Sequence, residues 1–448
     1  MQPHRTASLS IAAMSVALLA PFGGSAQNLS EINLQKTVAQ ESRFTVAPGD
    51  PKPLVIQTLP DSVCDLHMGA AANPKQTLRL YANPDGYVRV HVRAKETSEE
   101  LAHLQLDCQA NGKLTTYPLT FRASDTPTED MPAPLAVLPA PKDAKLLPAL
   151  TDDEARQLSD RDLAERGYAP RPDPATSPEN YAAWLKLVSH AFTVVEPHSV
   201  SRSDISHKAQ TVEAGTENSS NWSGYELRSS SKSYLGVQSQ WNIPPIPLGE
   251  SNTITYSAFW VGLDGDGTSD LIQAGTEQDF VDILFLQFAS YSAWTELVPN
   301  QPTESEITNL SVNPNDSVLT FVWVGDSNGT IDPNGAYGWF LFGDFTTNQE
   351  TYVHTALGST KFKGTEAEWI MERPKVNGAF ADLSLYVIAS MTGAYALTTK
   401  EQYVPYSSTG NLQLTMYENY SPADDDNVLS VAIPINSTQI DYFWQNFH

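Results

Sequence analysis

The chain has 448 residues, with 27 Lys+Arg against 52 Asp+Glu, a formal net charge of −25 at pH 7, and only two cysteines. Residues 211–448 carry 7 basic and 28 acidic side chains, a net of −21 that leaves −4 for everything before. A surface this acidic repels phosphate backbones and anionic lipid, which argues against nucleic acid or a membrane as partner. It also loses charge in acid, which suits an acidic workplace, although keeping a secreted protein soluble is an equal use for it.

Residues 1–26 read as an export signal: His4 and Arg5, an apolar run from Ile11 to Ala20, then the small residues Gly24-Ser25-Ala26. That run is too short to span a bilayer, so a mature chain that is secreted or periplasmic is expected. In that compartment Cys64 and Cys108 are expected to form one disulfide. Residues 27–124 read as a small β domain, because short alternating runs such as YVRVHVRA and LAHLQLDC are separated by turn signals such as Asn83-Pro84-Asp85-Gly86. An immunoglobulin-like sandwich pinned by the two cysteines is the expected form. Proline density then marks 125–150 as an extended linker.

Residues 151–208 carry helix signals. Thr151 with Glu154 makes a capping box, Gly167 closes that region, and Ser177-Pro178-Glu179 opens a second helix with Tyr181, Trp184, Leu185 and Val188 on one face. This region is expected to pack on the acidic domain as a pro-segment that shields its groove, with a plain interdomain helix pair as the alternative. From 209 to 448, runs such as ITYSAFWVGL, FVDILFLQFA and VLTFVWVG alternate with Gly, Asn, Asp and Pro turns. The fold class expected is all-β, with a large antiparallel β-sandwich of jelly-roll type as the main domain.

Several catalytic signatures are missing, among them HExxH, CxxC and a Walker loop. GDSNG at 325–329 matches GxSxG, but no helix pattern follows Ser327, so it reads as a hairpin turn. DGDGTSD at 264–270 resembles a calcium loop but has Gly275 where a bidentate Glu is needed, leaving an Asx-rich loop or at most a weak structural calcium site. No metal and no cofactor is expected. In TEAEWIMERPKV, residues 365–376, a period of two sets Ala367, Trp369 and Met371 against Glu366, Glu368, Ile370 and Glu372.

Taken together, NWSG (221–224), FWVGLDG (259–265), LIQAG (271–275), YSAWTELVP (291–299) and AEWIMER (367–373) run in the order seen in the glutamic peptidases, the eqolisin family. The chain resembles that family over some 240 residues. The resemblance implies a sandwich of two curved sheets and a dyad of Gln273 and Glu372. It also implies a groove lined by Trp222, Trp260 and Trp294, with Asp264 and Glu296 beside it as hydrogen-bonding support or substrate contacts. Glu366 and Glu368 then remain as loop or surface charges. The chain departs from the family in WTELVP, where Thr295, Leu297 and Val298 replace aromatic residues, and at Ser292 and Pro374.

The chemistry follows from the residue types. A Glu carboxylate can take a proton from water and pass it to the leaving amine, and a Gln amide can orient that water and stabilise an oxyanion. A Glu with an ordinary pKa of about 4.3 works as a base in acid, where a histidine is lost as one. The expectation is a secreted, acid-acting, monomeric endopeptidase with polypeptide substrates, made as a precursor. The alternatives are a jelly-roll glycoside hydrolase using Glu296 and Glu372, and a non-enzymatic carbohydrate-binding or adhesive β-protein.

Overall fold

The computed structural model describes residues 35–69, 73–133, 144–207, 218–247, 253–266, 268–418 and 427–445. The expected export signal lies outside them. Among the described residues no helix is long and apolar enough to cross a membrane.

Alternating polarity builds two sheets in the C-terminal region. The front sheet runs through Gln301–Ile307, Leu286–Val298, Leu271–Ile283, Thr255–Leu263, Glu366–Glu372, Trp222–Arg228 and Asn411–Tyr417, all antiparallel. The back sheet runs through Gln349–Ala356, Tyr337–Asp344, Ser317–Gly325, Tyr234–Asn242 and Ile388–Thr398. One face of each buries the main core, where Phe259, Val261, Trp369 and Met371 of the front sheet meet Val237, Val322 and Phe340 of the back. The opposite face of the front sheet carries Trp222, Trp260, Trp294 and Ile370. This is the all-β sandwich expected.

Two strand-like runs differ from expectation. FVDILFLQFA is not one strand but the apex of a hairpin: Leu271–Ile283 turns at Leu284, which has φ 58°, into Leu286–Val298. No Gly or Pro marks the turn; Leu284 itself is half-exposed, whereas the apolar residues flanking it are buried. Val281, Ile283, Leu286 and Phe288 sit in the core of the N-terminal domain, with Leu66, Leu104 and Phe121. Leu286–Ala289 also pairs antiparallel with His91–Ala94 of the strand Tyr87–Ala94, so a sheet crosses from one domain to the other. The run LSLYVIAS is likewise divided, between the short strand Asp382–Leu383 and the strand that begins at Ile388.

The N-terminal domain faces a sheet that includes Val63–Met68, Leu101–Ala110 and Lys113–Ala123 against the pair Lys52–Gln57 and Tyr87–Ala94. Cys64 and Cys108 form the expected disulfide. They stand directly opposite each other on neighbouring strands of one sheet. The bond therefore staples a strand pair and does not bridge two sheets, which corrects the immunoglobulin-like picture.

The helical region also needs correction. Among the described residues of this region, 151–207, helices form only at Asp152–Gln157, Asp160–Glu165 and Pro178–Val188. The Thr151–Glu154 capping box and the Gly167 turn, at φ 88°, are present. Trp184, Leu187 and Val188 pack on Phe321, Trp323 and Leu341, the outer face of the back sheet. The helices thus cover the side of the sandwich away from the groove. Aromatic residues at alternate positions of Ser317–Gly325 leave that face apolar, and an amphipathic helix is the element that covers it.

Phe288 is fully buried, edge-on to Phe121 at 5.6 Å. Phe288→Ala should cost about 3–5 kcal/mol. Urea unfolding checks this, and a loss under about 1 kcal/mol would mean that the apex adds little to the union of the domains.

Candidate active site

Period-two alternation places Trp222, Gly224 and Glu226, Ala258, Trp260 and Gly262, Gln273, Gly275 and Glu277, Trp294 and Glu296, and Glu368, Ile370 and Glu372 on the groove face of the front sheet. Two glycines explain the spacing of the motifs. Gly224 has φ 155°, and a Cβ there would fall 2.0 Å from the Trp369 carbonyl oxygen. A Cβ on Gly275 would fall 2.4 Å from both the Phe259 carbonyl oxygen and the Trp260 Cβ. NWSG and LIQAG thus close the sheet tightly around Trp260 and Glu372.

Glu372 is buried and held at both oxygens. Asn221 Nδ2 donates to Oε1 at 2.9 Å, and Trp260 Nε1 donates to Oε2 at 2.8 Å. Trp222 packs edge-on to Trp260 at 5.0 Å and fixes its plane. Gln273, also buried, donates from Nε2 to Glu296 Oε2 at 2.6 Å and to the His207 carbonyl oxygen at 3.3 Å. Both neighbours of that nitrogen are acceptors, which sets the orientation of the amide. Its Oε1 has no hydrogen-bond donor among the described residues. Burial pushes the Glu296 carboxyl up to about 7, with the nearby Glu372 adding to this and the His207 imidazole opposing it.

The chain itself joins these two side chains. His207 sits wholly inside, its ring stacked on Trp294 at 3.8 Å and 8°. Its Nε2 lies 3.1 Å from Glu304 and 3.3 Å from Glu277, and its Nδ1 lies 3.4 Å from Glu372. Its backbone N–H donates to Glu296 at 3.2 Å. Leading to it, Ser199–Ser201 pairs antiparallel with Ser305–Ile307, and Ile205–Ser206 pairs with Lys375–Val376. Between them Arg202 is buried, with Nη2 3.0 Å from Asp279 and Nη1 3.7 Å from Glu304 and 3.8 Å from Glu306. The Tyr81 ring of the N-terminal domain lies 5.5 Å from the guanidinium. The groove is filled by this extended stretch and not by the helices.

Two cations face a surplus of carboxylates. Burial therefore drives Glu277 well up and Glu306 to about 8. Glu304 goes the other way: burial alone would raise it, but Arg202 and His207 outweigh that and hold it below its ordinary value. His207 is raised well above its ordinary value, because Glu277, Glu304 and Glu372 overcome its burial. His207, Glu277 and Glu304 have ligand atoms within 4.8 Å of one another, close enough for a metal ion. Here Arg202 and the imidazolium already supply positive charge to those carboxylates.

Of the residues expected at the site, Gln273, Glu372, Trp222, Trp260, Trp294 and Glu296 are brought together around His207. Asp264 is not among them. Its carboxylate accepts the backbone N–H groups of Lys363, Gly364 and Thr365 at 2.7, 2.9 and 2.8 Å, and Asp270 accepts that of Lys361 at 2.7 Å. The acidic loop therefore fastens residues 361–365. Glu366 and Glu368 are not surface charges, because both are buried across from Arg228 and Glu226. Burial raises Glu366 to about 8 and Glu368 well above its ordinary value. In GDSNG, Asp326 Oδ1 accepts the N–H groups of Asn328 and Thr330, which makes it a turn. Sequence reasoning missed His207, Arg202, Asn221, Glu277 and Glu304. Glu277 was within reach, two alternations from Gln273 on one strand.

Residues 220–439 match the family model described as the Peptidase A4 family. The C-terminal domain belongs to that family, the glutamic peptidases. It is thus the domain of a hydrolase, a glutamic endopeptidase acting on polypeptides. Similar solved structures include scytalido-glutamic peptidase with a peptide-based transition-state analog, at 18% identity, 50% of this chain, 98% of that chain and a TM-score of 0.39. Another is SCP-B, a member of the eqolisin family in complex with the tripeptide Ala-Ile-His, at 18% identity, the same coverage and a TM-score of 0.38. Among curated protein sequences none matches significantly.

Asp264→Ala removes an anion that accepts three backbone N–H groups, and should cost about 2–3 kcal/mol. Chemical denaturation measures it, with accelerated proteolysis near residue 363 as the accompanying sign.

Proposed function

We propose that this chain is an exported endopeptidase that works in acid with Gln273 and Glu372 as its dyad, and that it is made as a precursor whose residues 199–207 block the groove. The observation that carries the reading is His207, a residue of an extended peptide stretch whose main chain meets Gln273 while its ring meets Glu372. A substrate seated likewise would present its carbonyl to the Gln273 amide. Glu372 takes a proton from water, the new oxygen adds to that carbonyl, the amide steadies the oxyanion, and the proton passes to the leaving nitrogen. Asn221 and Trp260 hold the carboxylate in place for both transfers.

Gln273→Ala should lower kcat by about 100- to 1000-fold and Glu372→Gln by about 1000-fold or more. Digestion of a denatured protein between pH 3 and 5 is the measurement. Near-wild-type activity in either variant would sink the dyad.

The acid trigger depends on sign. His207, raised, adds docking stability in full below about 6.5 and loses it as pH rises through its folded value. Glu304, lowered, adds stability above about 4.5 and loses it as pH falls through its folded value. Glu296 and Glu306, raised by burial, are relieved by acid and oppose release. Glu304 is thus the group whose shift weakens docking in acid. The precursor should persist near pH 6 and convert below about pH 4. Glu304→Gln should move the onset of conversion upward, and an unmoved onset, read on gels across a pH series, would count against this trigger.

A further inference from the structure

The groove holds a specific side chain in a specific pocket, and that pocket has its own chemistry. We propose that the pocket walled by Trp294, Glu277 and Glu304 is the subsite for the residue on the amino side of the scissile bond. We propose further that it selects a cationic side chain, histidine foremost, and that the bond following His207 is the precursor's own cleavage site. The inference rests on the Gln273 and Glu372 reading and adds to it the substrate class and the place of the cut.

The main chain fixes the position. Of the residues in the docked stretch, His207 is the one whose carbonyl oxygen accepts from Gln273 Nε2, at 3.3 Å, while its N–H donates to Glu296 at 3.2 Å. The two residues before it, Ile205 and Ser206, pair antiparallel with Val376 and Lys375, just beyond Glu372. A peptide held by these groups enters from the Lys375–Val376 side and delivers its next carbonyl to the dyad. Water adds at the His207 carbonyl carbon as Glu372 takes its proton. The bond to the next nitrogen breaks, the proton goes to that nitrogen, and the products are a carboxylate at His207 and a new amino terminus.

The side chain fixes the preference. A flat ring fits against Trp294 at 3.8 Å, and its far nitrogen reaches two buried carboxylates at 3.1 and 3.3 Å. A planar cation over an aromatic face satisfies both walls at once. An apolar residue would leave the carboxyl groups of Glu277 and Glu304 with no partner from the substrate, and a buried polar group left unsatisfied is costly. Glutamate or aspartate would add repulsion. Arginine shares the planar charge and should follow histidine, and leucine or phenylalanine should rank below both.

Two measurements test this. Precursor held at pH 3–4 is sequenced at its new amino terminus, with His207→Arg and His207→Leu alongside wild type. The expected terminus is Lys208, retained in His207→Arg and slowed about tenfold or displaced in His207→Leu. Activated enzyme is then given paired peptides differing only before the cut. A kcat/KM for histidine about tenfold or more above that for leucine is expected, and the ratio should collapse in Glu277→Gln/Glu304→Gln. An enzyme that is active, and that loses activity in Glu372→Gln, yet opens elsewhere or shows no preference for histidine, overturns the subsite while sparing the dyad. An unmoved ratio in the double variant does the same. Activity that survives Glu372→Gln instead overturns the dyad and this inference with it.

Discussion

The groove of this molecule depends on a buried imbalance of charge. Glu277, Asp279, Glu304, Glu306 and Glu372 are gathered on or beside one sheet face, and among the described residues the cations that answer them are Arg202 and His207. Carboxylates this far from water are stable only when they are paired or protonated. Both remedies are in use: Glu304 takes the cations and stays ionised, whereas Glu277 and Glu306 are pushed toward the neutral form. The docked stretch thus occupies the groove for electrostatic as much as for steric reasons.

Rigidity around the acid follows from close packing. Gly224 and Gly275 let neighbouring backbones approach where any Cβ would collide, and this brings the Trp260 indole and the Asn221 amide onto the two oxygens of Glu372. Behind them the core face of the same strands is filled by Phe259, Trp369 and Met371. A side chain fixed at both oxygens has little rotamer freedom left to lose when a substrate binds.

Much of this was legible in the sequence. Alternation in AEWIMER put Glu372 opposite the core face, the cysteines paired, and the Thr151 capping box formed. The motifs named Gln273, Glu372 and the three tryptophans that gather at the groove. What escaped notice depends on contacts between distant segments. His207 lies 66 residues before Gln273, in a stretch with no regular signal, and only the tertiary fold seats it there. Glu366 and Glu368 looked solvated because a period of two assigns faces without saying which face is covered. The Leu284 turn escaped because it carries neither Gly nor Pro, and the apolar residues on either side of it, buried in the N-terminal core, read as one continuous strand.

The strand ends buried against the N-terminal core change what a break in the chain would accomplish. With Phe288 locked beside Phe121 and His91–Ala94 hydrogen-bonded to the hairpin, a nick behind residue 207 separates the polypeptide covalently but leaves its halves clasped. The severed end would stay tethered near the groove it vacated, at an effective concentration on the order of millimolar. An enzyme so built would carry its own competitor permanently, leashed rather than discarded. Return to neutral solution, by restoring the charge on Glu304, would favour its re-entry.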